Sequence, residues 1–141
     1  MKPRNDGHRS GCPISFTLDI LGDKWTLLII RDLMFKGKQH YGEFLNSEEK
    51  IATNILADRL QRLEREEIIS SSKAARDQKK IIYQLTDKGI ELLPMILEMI
   101  QWGAKHDSKT AAPKEFVARL KKDKAGVIEE FKTFLKKGRK K

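Results

Sequence analysis

The feature that most constrains this chain is a single change of period. Before it, "KIATNILADRLQRLEREEII" (50–69) repeats Ile51, Ile55, Leu56, Leu60 and Leu63 at helical spacing. After it, "IISSSKAARDQKKIIYQL" (68–85) carries two β-leaning runs, about 68–73 and 80–85, around a polar, basic loop. That is the pattern of a hairpin. The apolar runs on either side return to helical spacing, so the expected fold class is mostly α with one small β-hairpin.

The helices can be placed from their punctuation. Pro13 suits a first helical turn and Gly22 a stop, which predicts a short helix in "PISFTLDILG". Asp23 can cap the next, "DKWTLLIIRDLMFKGK", whose Trp25, Leu27, Leu28, Ile29, Ile30, Leu33 and Met34 point in nearly every direction. A helix apolar all round is a buried one, so the core centres there. A short helix with Tyr41, Phe44 and Leu45 precedes the helix at 51–67. Beyond the hairpin, Thr86 caps a helix predicted to run from 86 to 102 and to bend at Pro94. Residues 116–135 repeat Phe116, Val117, Leu120, Val127, Ile128, Phe131, Phe134 and Leu135 at helical intervals. Their apolar side is expected to dock at a dimer interface.

Charge is unevenly spread. Of 29 Lys/Arg and 20 Asp/Glu, thirteen bases and five acids lie from Lys105 onward, which leaves the first 104 residues near neutral. One cysteine, Cys12, excludes an intramolecular disulfide and a Cys-based metal cluster, and His8, His40 and His106 lack metal-ligand spacing. Neither a metal nor a cofactor is expected. No apolar run has the length of a membrane span, and "MKPRNDGHRSGC" lacks a signal peptide's apolar stretch, so the cytoplasm is the expected compartment.

Helices joined by a short turn, then a hairpin, then a long helix, make a winged helix-turn-helix. That arrangement explains the polar face of 51–67. A helix entering the major groove needs short, hydrogen-bonding side chains in its first turns. Thr53, Asn54, Ala57 and Gln61 meet that need; Asp58 can accept from cytosine, although phosphates repel it. Arg59 can contact phosphate or pair with Glu43 or Glu64. In the hairpin loop, Lys73, Arg76, Lys79 and Lys80 face Asp77 alone, as a wing lying along the DNA backbone would require.

"CPISFTLDILGDKWTLLIIRDLMFKGKQHYGEFLNSEEKIATNILADRLQRLEREEII" with "YQLTDKGIELLPMI" closely resembles the HxlR family of prokaryotic transcriptional regulators. The resemblance rests on Cys12-Pro13, Lys24-Trp25-Thr26-Leu27-Leu28-Ile29, Tyr41-Gly42-Glu43-Phe44, Leu56-Ala57-Asp58-Arg59-Leu60 and Tyr83-Gln84-Leu85-Thr86-Asp87-Lys88-Gly89. The chain departs from that pattern at His40, in a wing without prolines, and in the stretch past Trp102. The resemblance implies a homodimer on double-stranded operator DNA, without catalytic activity, and a cysteine at this N-terminal position that senses oxidants or electrophiles in several members. For Cys12, such sensing and an inert, buried thiol both remain open. No small-molecule effector is identifiable.

The expected organisation is an arm at 1–12, a DNA-binding and dimerisation domain at 13–102, and a basic helical extension at 103–141. Met95, Ile96, Met99 and Trp102 are the expected dimer contacts. The terminal Lys136, Lys137, Arg139, Lys140 and Lys141 are expected to meet phosphate. The alternative from another class is a winged-helix protein-interaction module, which the near-neutral first 104 residues permit. A thiol enzyme built on Cys12 lacks a His/Asp partner at recognisable spacing.

Overall fold

Pro13 opens helix α1 (Pro13–Leu21), and Gly22 closes it by donating its N–H to the Leu18 carbonyl at 2.8 Å. A Cβ at position 22 would come within 2.3 Å of that oxygen, so the turn admits only glycine. The computed structural model describes residues 4–77 and 79–138. Asp23 caps α2 (Thr26–Phe35) as expected: its Oδ1 accepts from the N–H groups of Trp25 at 2.9 Å and Thr26 at 3.0 Å. Ile29, Ile30, Leu33 and Met34 are buried along α2, which places this helix at the centre of the core.

The short α3 (Tyr41–Leu45) and α4 (Thr53–Arg65) form the helix pair, joined by a turn in which Lys50 takes a positive φ of 56°. α4 begins two residues later than the periodicity suggests, with Ala52 as its N-cap. Its Leu56, Leu60 and Leu63 are buried, each burial contributing about 1.5–3 kcal/mol. At its end Glu67 enters the left-handed region at φ 61°, and Ile68 N–H reaches back to the Leu63 carbonyl at 2.9 Å. This left-handed cap turns the chain sharply into the hairpin.

β1 (Ile69–Lys73) and β2 (Ile81–Leu85) pair antiparallel, from Ile69 opposite Leu85 to Lys73 opposite Ile81. Their inner ends, Ile69 and Leu85, are sealed in the core, while Ser70, Ser71 and Ser72 face solvent. Tyr83 N–H donates to the Gln39 carbonyl at 2.8 Å, so the link between α2 and α3 lies beside β2.

Two expectations need correction. The helix predicted at 86–102 is two helices, α5 (Asp87–Ile90) and α6 (Leu93–His106). Pro94 has no N–H to continue α5, but its fixed φ suits a first turn, so it starts a helix where a bend was expected. The Thr86 cap is present, its Oγ1 accepting from Gly89 N–H at 3.1 Å.

The second correction concerns the extension, α7 (Lys114–Lys122) and α8 (Lys124–Gly138). Its apolar side was expected at a dimer interface, yet it packs on the chain's own body. Leu120 and Val127 are fully buried, and the Phe131 ring sits 5.2 Å from Phe35 of α2 and 6.0 Å from Phe116. Lys124 pairs with Glu98 of α6. The body leaves apolar surface beside α2 and α6 that α7 and α8 complete, and burying it in cis needs no second chain.

Candidate nucleic-acid interface

α4 separates two kinds of residue cleanly. With Leu56, Leu60 and Leu63 turned inward, Thr53, Asn54, Ala57, Asp58 and Gln61 are exposed together on the outer side. All five residues read from the sequence as base-facing therefore share one surface. Tyr41 supports its first turn, the phenol donating to the Thr53 carbonyl at 2.8 Å. Periodicity gives no warning of that contact.

Arg59 lies elsewhere. Its side chain is half-buried, its Nε donates to Asp23 Oδ1 at 3.1 Å and its NH1 to Asp58 at 2.5 Å. The partner is neither Glu43 nor Glu64. Asp23, which already caps α2, thus ties α2 to α4. Burial works against the charge on Asp23, but hydrogen bonds from the Thr26 hydroxyl, Trp25 N–H, Arg59 and Thr26 N–H outweigh it and hold the carboxyl at about 2. The Asp23 hydrogen bond in turn raises the Arg59 guanidinium, with Asp58 adding to it. Through these bonds Arg59 ties α4 to the start of α2.

A second network braces the turn between α3 and α4. Arg31 donates to Glu49 at 2.6 Å and, through Nε, to buried Asp32 at 3.0 Å. Asp32 also accepts from Ser47 at 2.5 Å, and Lys38 donates to the Ser47 hydroxyl at 3.0 Å. Arg31 holds the Glu49 carboxyl at about 2, well below its ordinary value. The polar Arg31-Asp32 pair inside an otherwise apolar helix was the signal that could have revealed this brace.

Lys73, Arg76, Lys79 and Lys80 in and beside the hairpin loop are all exposed, and among the described residues no salt bridge holds any of them. Lys79 N–H donates to the Asp77 carboxylate at 3.0 Å, so that acid shapes the loop. His40 connects loop and helix pair: its Nδ1 lies 3.3 Å from the Ile81 carbonyl.

The residues assigned to dimer contacts divide. Ile96 is 5% exposed and belongs to the chain's own core, and Met95 is half-buried. Met99 and Trp102 stay open, the Trp102 ring tilted against His106 at 4.8 Å. Ile14 and Leu18, one turn apart on α1, are also exposed, and nothing in the periodicity marks them. Cys12 is the N-cap of α1 and partly exposed, its N–H accepted by the Ser10 hydroxyl at 3.2 Å. Its basic neighbours His8 and Arg9 both engage Asp19.

Among the described residues no cluster of His, Cys, Asp and Glu could hold a metal, and no helix is long and apolar enough to cross a membrane. The model of the HxlR-like helix-turn-helix family matches residues 20–111. This chain belongs to that family. The HTH-type transcriptional regulator YdeP of Bacillus subtilis is 37% identical over 114 residues, covering 81% of this chain and 87% of YdeP. The oxidised form of the redox regulator HypR superposes with a TM-score of 0.61 at 32% identity, over 68% of this chain and 98% of HypR. The reduced form of the transcriptional regulator YodB from B. subtilis gives 0.56 at 31% identity, over 69% and 95%. The chain is thus a transcriptional regulator of the HxlR type with a winged helix-turn-helix fold.

Proposed function

We propose that this regulator is a homodimer that reads double-stranded operator DNA by sequence, with α4 in the major groove and the hairpin loop on the neighbouring backbone. The observation that carries this reading is the outer face of α4. Five short or hydrogen-bonding side chains stand exposed on a helix whose opposite side is locked into the core and braced by Asp23–Arg59. Asn54 is the leading base contact, since the first turn approaches the groove most closely and its amide can pair bidentately with adenine. No side chain caps the first turn of α4, which leaves its N–H groups free for a phosphate. Lys73, Arg76, Lys79 and Lys80 position the wing without reading bases.

Dimerisation rests on the apolar surface the single chain leaves open. Trp102 is 70% exposed, Ile14 71%, Leu18 53% and Met99 50%, a set that a second copy would cover around a two-fold axis. Two-fold symmetry then sets the half-sites roughly one helical turn, ~34 Å, apart. Cys12, partly exposed at the start of α1, is the site for a thiol response. The kinship with the redox regulator HypR supports that role.

The test is selection of bound duplexes from a random pool, followed by titration of the selected duplex at two salt concentrations. A recovered inverted repeat and a steep salt dependence are expected. A protein that enriches no sequence, and binds random duplex only weakly at low salt, is an interaction module instead.

A further inference from the structure

The family model ends at residue 111, and the charges of the helices beyond it are sorted along their length. α8 holds its acids, Glu129 and Glu130, in its first half, and Glu130 is engaged by Arg119 of α7. From Phe131 onward the chain contains no acid, while Lys132, Lys136 and Lys137 are basic. Among the described residues no salt bridge holds Lys136 or Lys137, and both are exposed.

The basic end of α8 has a defined position. Leu135 and Gly138 line a cleft of about 160 Å³ together with Gly37, Gln39, Tyr83 and Gln84. Gln39 immediately precedes His40, which reaches the loop end of β2 at Ile81, and Tyr41, which bonds to the first residue of α4. The Phe131 ring, set against Phe35 and Phe116, anchors the helix in that direction. The end of α8 therefore lies beside the link between α2 and α3 and beside β2, the strand that runs from the wing.

We propose that α8 extends the DNA interface: Lys136 and Lys137 are a second, sequence-independent clamp on the phosphate backbone next to the stretch held by the wing. This rests on the proposed DNA-reading function. In a single chain the two lysines also suit the negative end of the helix dipole, and that role alone would require no DNA. Arg139, Lys140 and Lys141 lie outside the described residues and are not needed for the inference.

The test compares full-length protein with Lys136→Gln/Lys137→Gln on the duplex selected from the random pool, by hydroxyl-radical footprinting at saturating protein and by titration between 50 and 200 mM salt. The variant is expected to keep the protection of the half-site cores and to lose backbone protection adjoining the positions affected by Lys80→Ala. With one phosphate neutralised by the lysine pair of each protomer, the variant dimer releases two fewer counterion equivalents. Its salt slope should be shallower by about 1.8, a roughly tenfold smaller decline of affinity over that salt range. An unchanged footprint and slope would overturn the inference while leaving the DNA-reading function standing. A lowered melting temperature with an unchanged footprint assigns the lysines to helix capping and overturns it equally. If the wild-type protein selects no duplex, the DNA-reading function itself fails, and the clamp fails with it.

Discussion

Replacing Asp23 with Asn tests whether one carboxylate sets the attitude of α4. Asn retains an oxygen for the Trp25 and Thr26 N–H groups, so α2 keeps most of its cap, but it removes the charge that Arg59 faces. The gap between the ordinary 3.8 and the about 2 held by the folded state corresponds to ~2 kcal/mol at neutral pH. With a quarter of the side chain in water, screening trims this to ~1–2 kcal/mol, or a loss of ~3–7 °C in melting temperature. The sign of the pH dependence follows from the depressed folded value. The stabilisation is complete above about pH 4 and is lost as pH falls from there towards 2, where the wild-type carboxyl itself protonates. Thermal unfolding followed by circular dichroism at pH 7, 4 and 3 should show the deficit of Asp23→Asn shrinking across that interval. Adding Arg59→Met to Asp23→Asn should cost little further stability, because the pair is already broken. A deficit of equal size at pH 7 and pH 3 would refute the charge argument and assign the loss to altered packing of the cap.

Other outcomes follow from the same geometry. Asn54→Ala should weaken operator binding ten- to a hundredfold and relax the preference at one position per half-site, read by titration on selected and scrambled duplexes. Lys79→Ala should weaken both duplexes alike and reduce the salt slope by about 1 per half-site. Trp102→Glu places a charge in the open apolar face of α6; light scattering at micromolar concentration should show the 16.3 kDa monomer replacing a dimer, with the helical signal retained. Cys12→Ser should bind DNA as the reduced wild type does and lose any response to diamide; an identical response in both proteins removes Cys12 as the sensor.

The fold was legible wherever a local signal sufficed. The α4 helix and the hairpin declare themselves by a change of period, and Pro13, Gly22, Asp23 and Thr86 act where their side-chain chemistry places them. The exposed polar face of α4 was legible for the same reason: a helix that buries Leu56, Leu60 and Leu63 has only one way to turn Thr53, Asn54 and Gln61. The errors share a different cause. Glu43 and Glu64 suggest themselves for Arg59 because they are nearer in sequence, whereas Asp23 is thirty-six residues away and is brought near only by the fold. Ile96 carries the same apolar signature as Met99 and Trp102, and periodicity cannot say which side of α6 the chain itself will cover. The answer depends on the extension. Once Leu120, Val127 and Phe131 pack in cis, they satisfy apolar surface that would otherwise have been counted towards a partner. The amphipathic pattern of 116–135 therefore does signal docking, and Leu120, Val127 and Phe131 dock onto the chain's own body. What remains exposed after that packing includes Ile14 and Leu18 on α1, Met99 and Trp102 on α6 and Phe134 on α8, a set that no longer contains Ile96. A dimer formed through it would leave α8 in place, with its basic end still beside Gln39 and the hairpin.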